Sequence, residues 1–281
     1  MDLEIGQIVD GYRITGVLGR GGMGVVYKAE DTALSRDVAL KVILANLTRD
    51  DQFIRRFQTE ARTLAQVDSP YIVRVHALRE TDAGWFIVME YVEGGTVANL
   101  LEESEQGMDV DDALPIIRQM FQAFDHAHGA GIIHRDIKPE NVMLTKSRQV
   151  KIADFGLAKQ SSPDTLATVT QGMMGTLYYM SPEQVRGLGE VDHRSDLWAL
   201  GVVMYEMLTG RRPFKATYEA AVLYSILNEE PDPITAVDGD IPEDLQTIIF
   251  RLLEKDQDAR FQNAGEVLEA LDGLGGAPRG A

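Results

Sequence analysis

Apolar and polar positions change their spacing along this chain. Tyr12-Arg13-Ile14-Thr15-Gly16-Val17-Leu18 alternates, which is the period of a strand. Val25-Val26-Tyr27-Lys28-Ala29 and Asp37-Val38-Ala39-Leu40-Lys41-Val42-Ile43 follow, rich in residues suited to a pleated surface. From Asp51 to Val67 the spacing becomes helical, with Phe53, Phe57 and Leu64 on one stripe. Pro70 to Leu78 and Trp85 to Tyr91 return to strand character around a Thr81-Asp82-Ala83-Gly84 turn. Beyond residue 94 helices dominate. Val110 to His128 carries Ala113, Ile116, Ile117, Met120, Phe121, Phe124 and Ala127, a stripe wide enough for a buried helix, with Pro115 early in it. Val142-Met143-Leu144 and Val150-Lys151-Ile152-Ala153 are short strands. An apolar helix starts near Asp196. Another starts at Ile241-Pro242-Glu243-Asp244 and turns Leu245, Ile248, Ile249, Leu252 and Leu253 inward. A last helix covers Ala264 to Leu271. Strands first and helices after predict an α+β chain with a small β-rich part and a larger helical part.

Several polar residues sit awkwardly on these elements. Lys41 lies inside an apolar strand, where a snorkelling edge residue is the ordinary explanation. Glu60, however, falls on the core stripe of the following helix, and a carboxylate there is costly unless paired. Lys41 is its natural partner. Leu18-Gly19-Arg20-Gly21-Gly22-Met23-Gly24-Val25-Val26 joins two strands through glycines. A dinucleotide-binding turn needs a helix directly after the glycines, and here a strand follows, which puts them at a hairpin tip. Their amides can approach phosphates closely; a plain glycine-rich turn is the alternative. Met89-Glu90-Tyr91-Val92-Glu93-Gly94-Gly95 ends the β-rich part. His126 and His128 lack a third ligand at metal spacing and read as core or surface histidines. His134-Arg135-Asp136-Ile137-Lys138-Pro139-Glu140-Asn141 is a loop between a helix and a strand, dense in groups that aim at one point rather than build a core.

The bulk properties narrow the classes. The 281 residues suit one large two-lobed domain or two ordinary ones. Hydrophobic content of 44% and charged content of 25% are those of a folded globular protein. A net charge of −17 repels nucleic acid and anionic lipid, so an anionic ligand must be held by local cations and metal ions. With no cysteine, disulfides and thiolate metal sites are excluded. The start, Met1-Asp2-Leu3-Glu4, lacks the features of a signal peptide, and the apolar run from Leu197 to Leu208 is too short to span a bilayer. The expectation is a cytoplasmic protein with neither a membrane nor a nucleic acid partner within this chain.

The octet from His134 to Asn141, followed by Asp154-Phe155-Gly156, resembles the catalytic loop and metal-binding motif of protein kinases. Ala39-Leu40-Lys41 is similar to the family's lysine strand. Met180-Ser181-Pro182-Glu183 resembles the end of its activation segment, with Ser181 where Ala is usual. Lys138 is what Ser/Thr kinases carry, and the phrasing is similar to bacterial eukaryotic-type (Hanks-type) Ser/Thr kinases. The resemblance covers residues 10 to 272. It implies a bilobal kinase domain over 1–272, with an N-lobe of about 10–93, a C-lobe of about 94–272, and 273–281 as a flexible tail or the start of a linker.

The implied activity is transfer of the γ-phosphate of ATP to Ser/Thr hydroxyls of proteins, itself included. Asp136 would take the hydroxyl proton, and Lys138 would stabilise the moving phosphoryl. Asn141 and Asp154 would hold magnesium, with manganese as the alternative. Lys41, paired with Glu60, would hold the α- and β-phosphates. Leu18 to Val26, Ala39, Glu90, Val92 and Met143 would line the nucleotide site, with Met89 as gatekeeper. His134 would stack on Phe155. Arg135 would meet a phosphate on Thr168 or Thr170, ahead of Thr165. Thr176 would position the acceptor, Asp196 would brace the catalytic loop, and Arg260 would pair with Glu183. A nucleotide-binding scaffold without catalysis is the competing implication. Such proteins usually lack Lys41, Asp136 or Asp154, all present here.

Overall fold

The strands form mostly in the order that the alternation predicts, and the exceptions have local causes. The computed structural model describes residues 3–22, 24–44, 47, 51–81, 84–104, 106–155, 175–187, 191–234 and 241–274, without the side chains of Asp51, Arg56 and Glu60. Two compact units divide the chain, Met1–Glu93 and Gly94–Ala281.

In the first unit, β1 (Ile8–Val9), β2 (Tyr12–Gly21), β3 (Gly24–Asp31), β4 (Arg36–Ile43), β5 (Val75–Thr81) and β6 (Gly84–Glu90) make one antiparallel sheet in the order β1-β2-β3-β4-β6-β5. One face is the core: Val25, Tyr27, Ala29, Val38, Leu40, Val42, Phe86 and Val88 pack together there. Because strand side chains alternate, Val26, Ala39, Lys41, Ile87 and Met89 take the other face. Helix α1 (Asp51–Gln66) buries Phe53, Phe57, Ala61 and Leu64. The expected strand from Pro70 begins only at Val75. Pro70 has no amide to give a ladder, and the Tyr71 amide is taken by Ser69 Oγ, so Ile72 keeps only an isolated bridge and Val73 is buried outside any strand.

In the second unit, α2 (Val97–Glu103) starts at a Thr96–Asn99 capping box, and α3 (Val110–Gly129) buries the stripe that the sequence predicts. The hairpin of β7 (Val142–Leu144) and β8 (Val150–Ile152) follows. A 3-10 helix spans Thr176–Tyr179, and α4 (Pro182–Arg186) comes after it. Then come α5 (Arg194–Thr209), α6 (Glu219–Asn228), α7 (Glu243–Leu252) and α8 (Ala264–Gly273). Helix α5 is buried nearly all round, which fits its lack of a polar face. No helix among the described residues is long and apolar enough to cross a membrane.

Candidate active site

In the first unit the glycines do not simply form a tip. Gly19 pairs with Val26 and Gly21 with Gly24, so they lie within β2 and β3, and only Gly22 and Met23 lie between the paired strands. The alternation runs out at the glycines because they carry no side chain to report it. Met23 itself lies outside the described residues. Two kinds of glycine emerge. A Cβ on Gly24 would stand 2.0 Å from the Val42 carbonyl oxygen, so strand packing alone demands glycine there. A Cβ on Gly19, Gly21 or Gly22 would meet nothing within 4 Å. With no side chain there, nothing stands over the backbone at these positions, the condition for close approach by phosphate oxygens.

Lys41 is 9% exposed and sits in the middle of the sheet, opposite Val26 on one side and Ile87 on the other. Ala39 shares its face two residues earlier. The side chain of Glu60, its expected partner, lies outside the described residues, although α1 carries the position. Leu18 is exposed and Val25 is in the core. At the end of β6 the Glu90 amide donates to the Arg74 carbonyl at 2.9 Å, while Glu90 Oε2 accepts the Arg74 amide at 3.2 Å. Of the backbone groups of Glu90, its carbonyl is therefore the one suited to an adenine. Val92 is buried.

In the second unit the loop from His134 to Asn141 hangs on one buried carboxylate. Asp196, fully buried in the first turn of α5, accepts the His134 amide on Oδ2 and the Arg135 amide on Oδ1, both at 2.8 Å. His128 Nε2 also donates to Oδ2, at 2.9 Å. These bonds hold Arg135 at a φ of 63°, a left-handed conformation that a non-glycine residue adopts only when its surroundings enforce it. Gln184 Nε2 adds a bond to the Arg135 carbonyl at 3.1 Å.

The His134 ring lies 4.6 Å from that of Phe155, and Phe124 packs on both. His134 Nδ1 accepts the Asp136 amide, so Nε2 carries the proton and donates to the Ala153 carbonyl at 2.9 Å. Asn141 Nδ2 donates to the Asp136 carbonyl at 2.7 Å, and the Asn141 carbonyl accepts the Ala153 amide at 2.9 Å. Asp136, Asn141 and Asp154 are thus positioned through the backbone. Asp154 also takes a left-handed φ, 57°. Lys138 Nζ lies 3.4 Å from the Oγ1 of Thr176, itself buried. Met143 sits mid-strand in β7, half-buried.

Among the described residues no group of three or more His, Cys, Asp or Glu side chains gathers as a metal centre. Asn141 and Asp154 offer one amide oxygen and one carboxylate. The Nδ2 bond to Asp136 aims the Asn141 Oδ1 away from that carbonyl. Such sparse, hard oxygen donors fit a magnesium-type ion that takes its remaining ligands from phosphates and water.

Arg260, 1% exposed, meets Glu183 end-on with Nη1–Oε1 and Nη2–Oε2 both at 2.9 Å. Ser195 Oγ donates to the same carboxylate at 2.6 Å. Burial pushes the Glu183 carboxyl up, but the Arg260 and Ser195 bonds outweigh it and bring it down to about 2. Ser181, where the resembled motif has Ala, caps α4 by accepting the Gln184 amide. Thr165, Thr168, Thr170 and Gly156 lie outside the described residues.

Sequence reasoning misses His128 and Gln184 as supports of the His134–Asn141 loop. By sequence His128 is an ordinary core or surface residue; its side chain is 9% exposed, and it also bonds the loop's anchor. Neither periodicity nor local spacing reports a bond from α3 to α5.

Comparison with known proteins identifies the family. The protein kinase domain family model matches residues 12–270. A probable serine/threonine-protein kinase of Streptomyces coelicolor is 41% identical over 276 residues, covering 96% of this chain and 41% of that protein. Serine/threonine-protein kinase PknB of Mycobacterium leprae is 40% identical, covering 93% and 42%. PrkC of Bacillus subtilis is 38% identical, covering 94% and 40%. The chain therefore spans about two-fifths of the length of these curated relatives. The crystal structure of the Mycobacterium tuberculosis PknI kinase domain superposes with a TM-score of 0.76 at 29% identity, covering 98% of this chain and 100% of that one.

Proposed function

Because this chain belongs to the protein kinase domain family, we propose that it transfers the γ-phosphoryl group of ATP to Ser or Thr hydroxyls of proteins, its own included. The observation that carries this reading is the anchoring of His134 and Arg135 to Asp196, of Asp136 to His134, and of Asn141 to Asp136 and Ala153, which supports a base and an ion-binding amide on one loop.

Asp136 orients the acceptor hydroxyl and takes its proton as the bond to phosphorus forms. Lys138, beside Thr176, supplies positive charge to the oxygens of the moving group. Lys41 anchors the α- and β-phosphates, and Gly19, Gly21 and Gly22 bring backbone amides to them. Asn141 and Asp154 would hold a divalent ion that favours hard oxygen donors, magnesium or manganese. When bound, that ion offsets the negative charge of the phosphates. The Glu90 carbonyl and the Val92 backbone receive the adenine. Arg135 Nε is a buried donor with no partner among the described residues, which supports its pairing with a phosphate on Thr168 or Thr170.

The test is mass spectrometry after incubation with ATP and magnesium, with Asp136→Asn beside the wild type. Phosphate gained by the wild type or a protein acceptor, and absent with Asp136→Asn, is the expected result. Nucleotide binding without transfer in the wild type would overturn the reading in favour of a scaffold.

A further inference from the structure

The face of the sheet that carries Lys41 continues towards the end of β6. Val26, Lys41 and Ile87 pair across β3, β4 and β6, and Lys28, Ala39 and Met89 pair across the same strands one row on. Alternation puts both rows on one face, about 7 Å apart. The first row holds the ammonium assigned to the phosphates. The second holds Ala39 and, at its outer end, another ammonium.

That second ammonium is tied on two sides. Lys28 Nζ meets Asp37 Oδ2 at 2.7 Å and stands 4.3 Å from the centroid of the Tyr91 ring. The bond to Asp37 lifts Lys28 above its ordinary value against some desolvation, so it stays charged at neutral pH. A lysine with a 28% exposed side chain is ordinarily a solubilising residue in a weak surface ion pair. Two observations weigh against that reading. One group joins a carboxylate of β4 to an aromatic face beyond β6, so it links three segments of the sheet. Tyr91 also stands between Glu90 and Val92, whose backbone groups receive the adenine in the proposed mechanism. The ladder with β4 ends at Val38 and Glu90, so the pairing that orders β6 stops one residue before Tyr91. From there the contact of its ring with Lys28 takes over the tie to β3 and β4.

We propose that Lys28 is a positioning residue for the nucleotide base: fixed by Asp37, it holds the Tyr91 ring and so keeps the Glu90 carbonyl and the Val92 backbone in the register that an adenine needs. The inference rests on the kinase reading. It gives Lys28 no contact with the phosphates, whose proposed anchor Lys41 lies one row away on the far side of Ala39.

The test uses adenosine, which has the base without phosphate, and magnesium tripolyphosphate, which has phosphates without the base. By calorimetry, Lys28→Met should weaken adenosine binding by about threefold to tenfold, the scale of a partly exposed cation–π contact, and leave tripolyphosphate binding unchanged. KM for ATP should rise by the same factor with kcat within about twofold of wild type. Lys28→Arg keeps the charge and Tyr91→Phe keeps the ring, so both should bind adenosine as the wild type does. Tyr91→Leu should match Lys28→Met, and the double variant should be no weaker than either, because all three remove one contact. Equal adenosine affinity in wild type and Lys28→Met, or losses that add in the double variant, would overturn the inference alone. So would weaker tripolyphosphate binding with adenosine unaffected. No phosphoryl transfer by a wild type that shows these binding differences would overturn the kinase reading and leave the role of Lys28 standing. A wild type that binds no adenosine would overturn both.

Discussion

Arg260 and Glu183 face each other fork to fork, with two parallel bonds of 2.9 Å and both side chains almost out of water. Arg260 also donates to the carbonyls of Glu254, Arg194 and Lys255, so the pair ties α4 to the segment before α8. Removing one partner strands the other charge in the interior, which costs about 3–5 kcal/mol. Arg260→Met should therefore cost far more by chemical denaturation than loss of an exposed pair such as Arg74–Asp68. The pair also sets an acid limit. Glu183 titrates at about 2 in the native chain against its ordinary 4.5, so its contribution is complete above pH 4.5 and disappears as the pH falls towards 2. Glu183→Gln should be less stable than wild type at pH 7, with the gap narrowing below pH 4.5.

Asp196 predicts a separation of activity from binding. With Asp196→Ala, the His134 and Arg135 amides and His128 lose their acceptor together. Transfer should fall by about 100-fold or more, because a slight misplacement of Asp136 is costly, while ATP affinity, measured by calorimetry, changes little. His128→Phe removes only one of the three bonds and should lose less activity than Asp196→Ala.

The glycines divide by mechanism. Gly24→Ala drives a Cβ into the Val42 carbonyl and should destabilise the chain by about 1–3 kcal/mol, seen as a lowered Tm without nucleotide. Gly21→Ala meets no atom of the protein, so its unliganded Tm should stay close to wild type. If the glycines cradle phosphates, Gly21→Ala should still weaken ATP binding.

Lys255 gives a prediction at alkaline pH. Its ammonium lies 3.9 Å from the Phe214 centroid and 5.0 Å from that of Trp198, and it donates to the Ile226 carbonyl at 2.8 Å. Burial pulls it down to about 8 from its ordinary 10.5. Between those values the unfolded chain still holds a proton that the native chain has released, so stability from this group rises with pH. The stability of wild type relative to Lys255→Met should increase from pH 8 towards 10.5. A difference that stays flat over that range would place the native titration elsewhere.

The chain's own order of residues determined its class. Strand alternation up to Tyr91, the buried stripe from Ala113 to Ala127 and the spacing from His134 to Asn141 are local properties, set by which side chains fall on one face of one element. The tertiary structure decided what depends on residues far apart meeting. Asp196 as the anchor of His134 and Arg135, His128 reaching it from α3, and Lys28 of β3 meeting the Tyr91 ring are contacts between elements, and periodicity within one element does not report them. Even local expectations give way where geometry overrides pattern. Ile72 and Val73 are apolar enough for a strand, yet Pro70 and Ser69 deny them a ladder, and Gly19 and Gly21 pair in strands that their lack of side chains hides. Left-handed Arg135 and Asp154 belong to the same group, because only surrounding bonds hold a side-chain-bearing residue in that conformation.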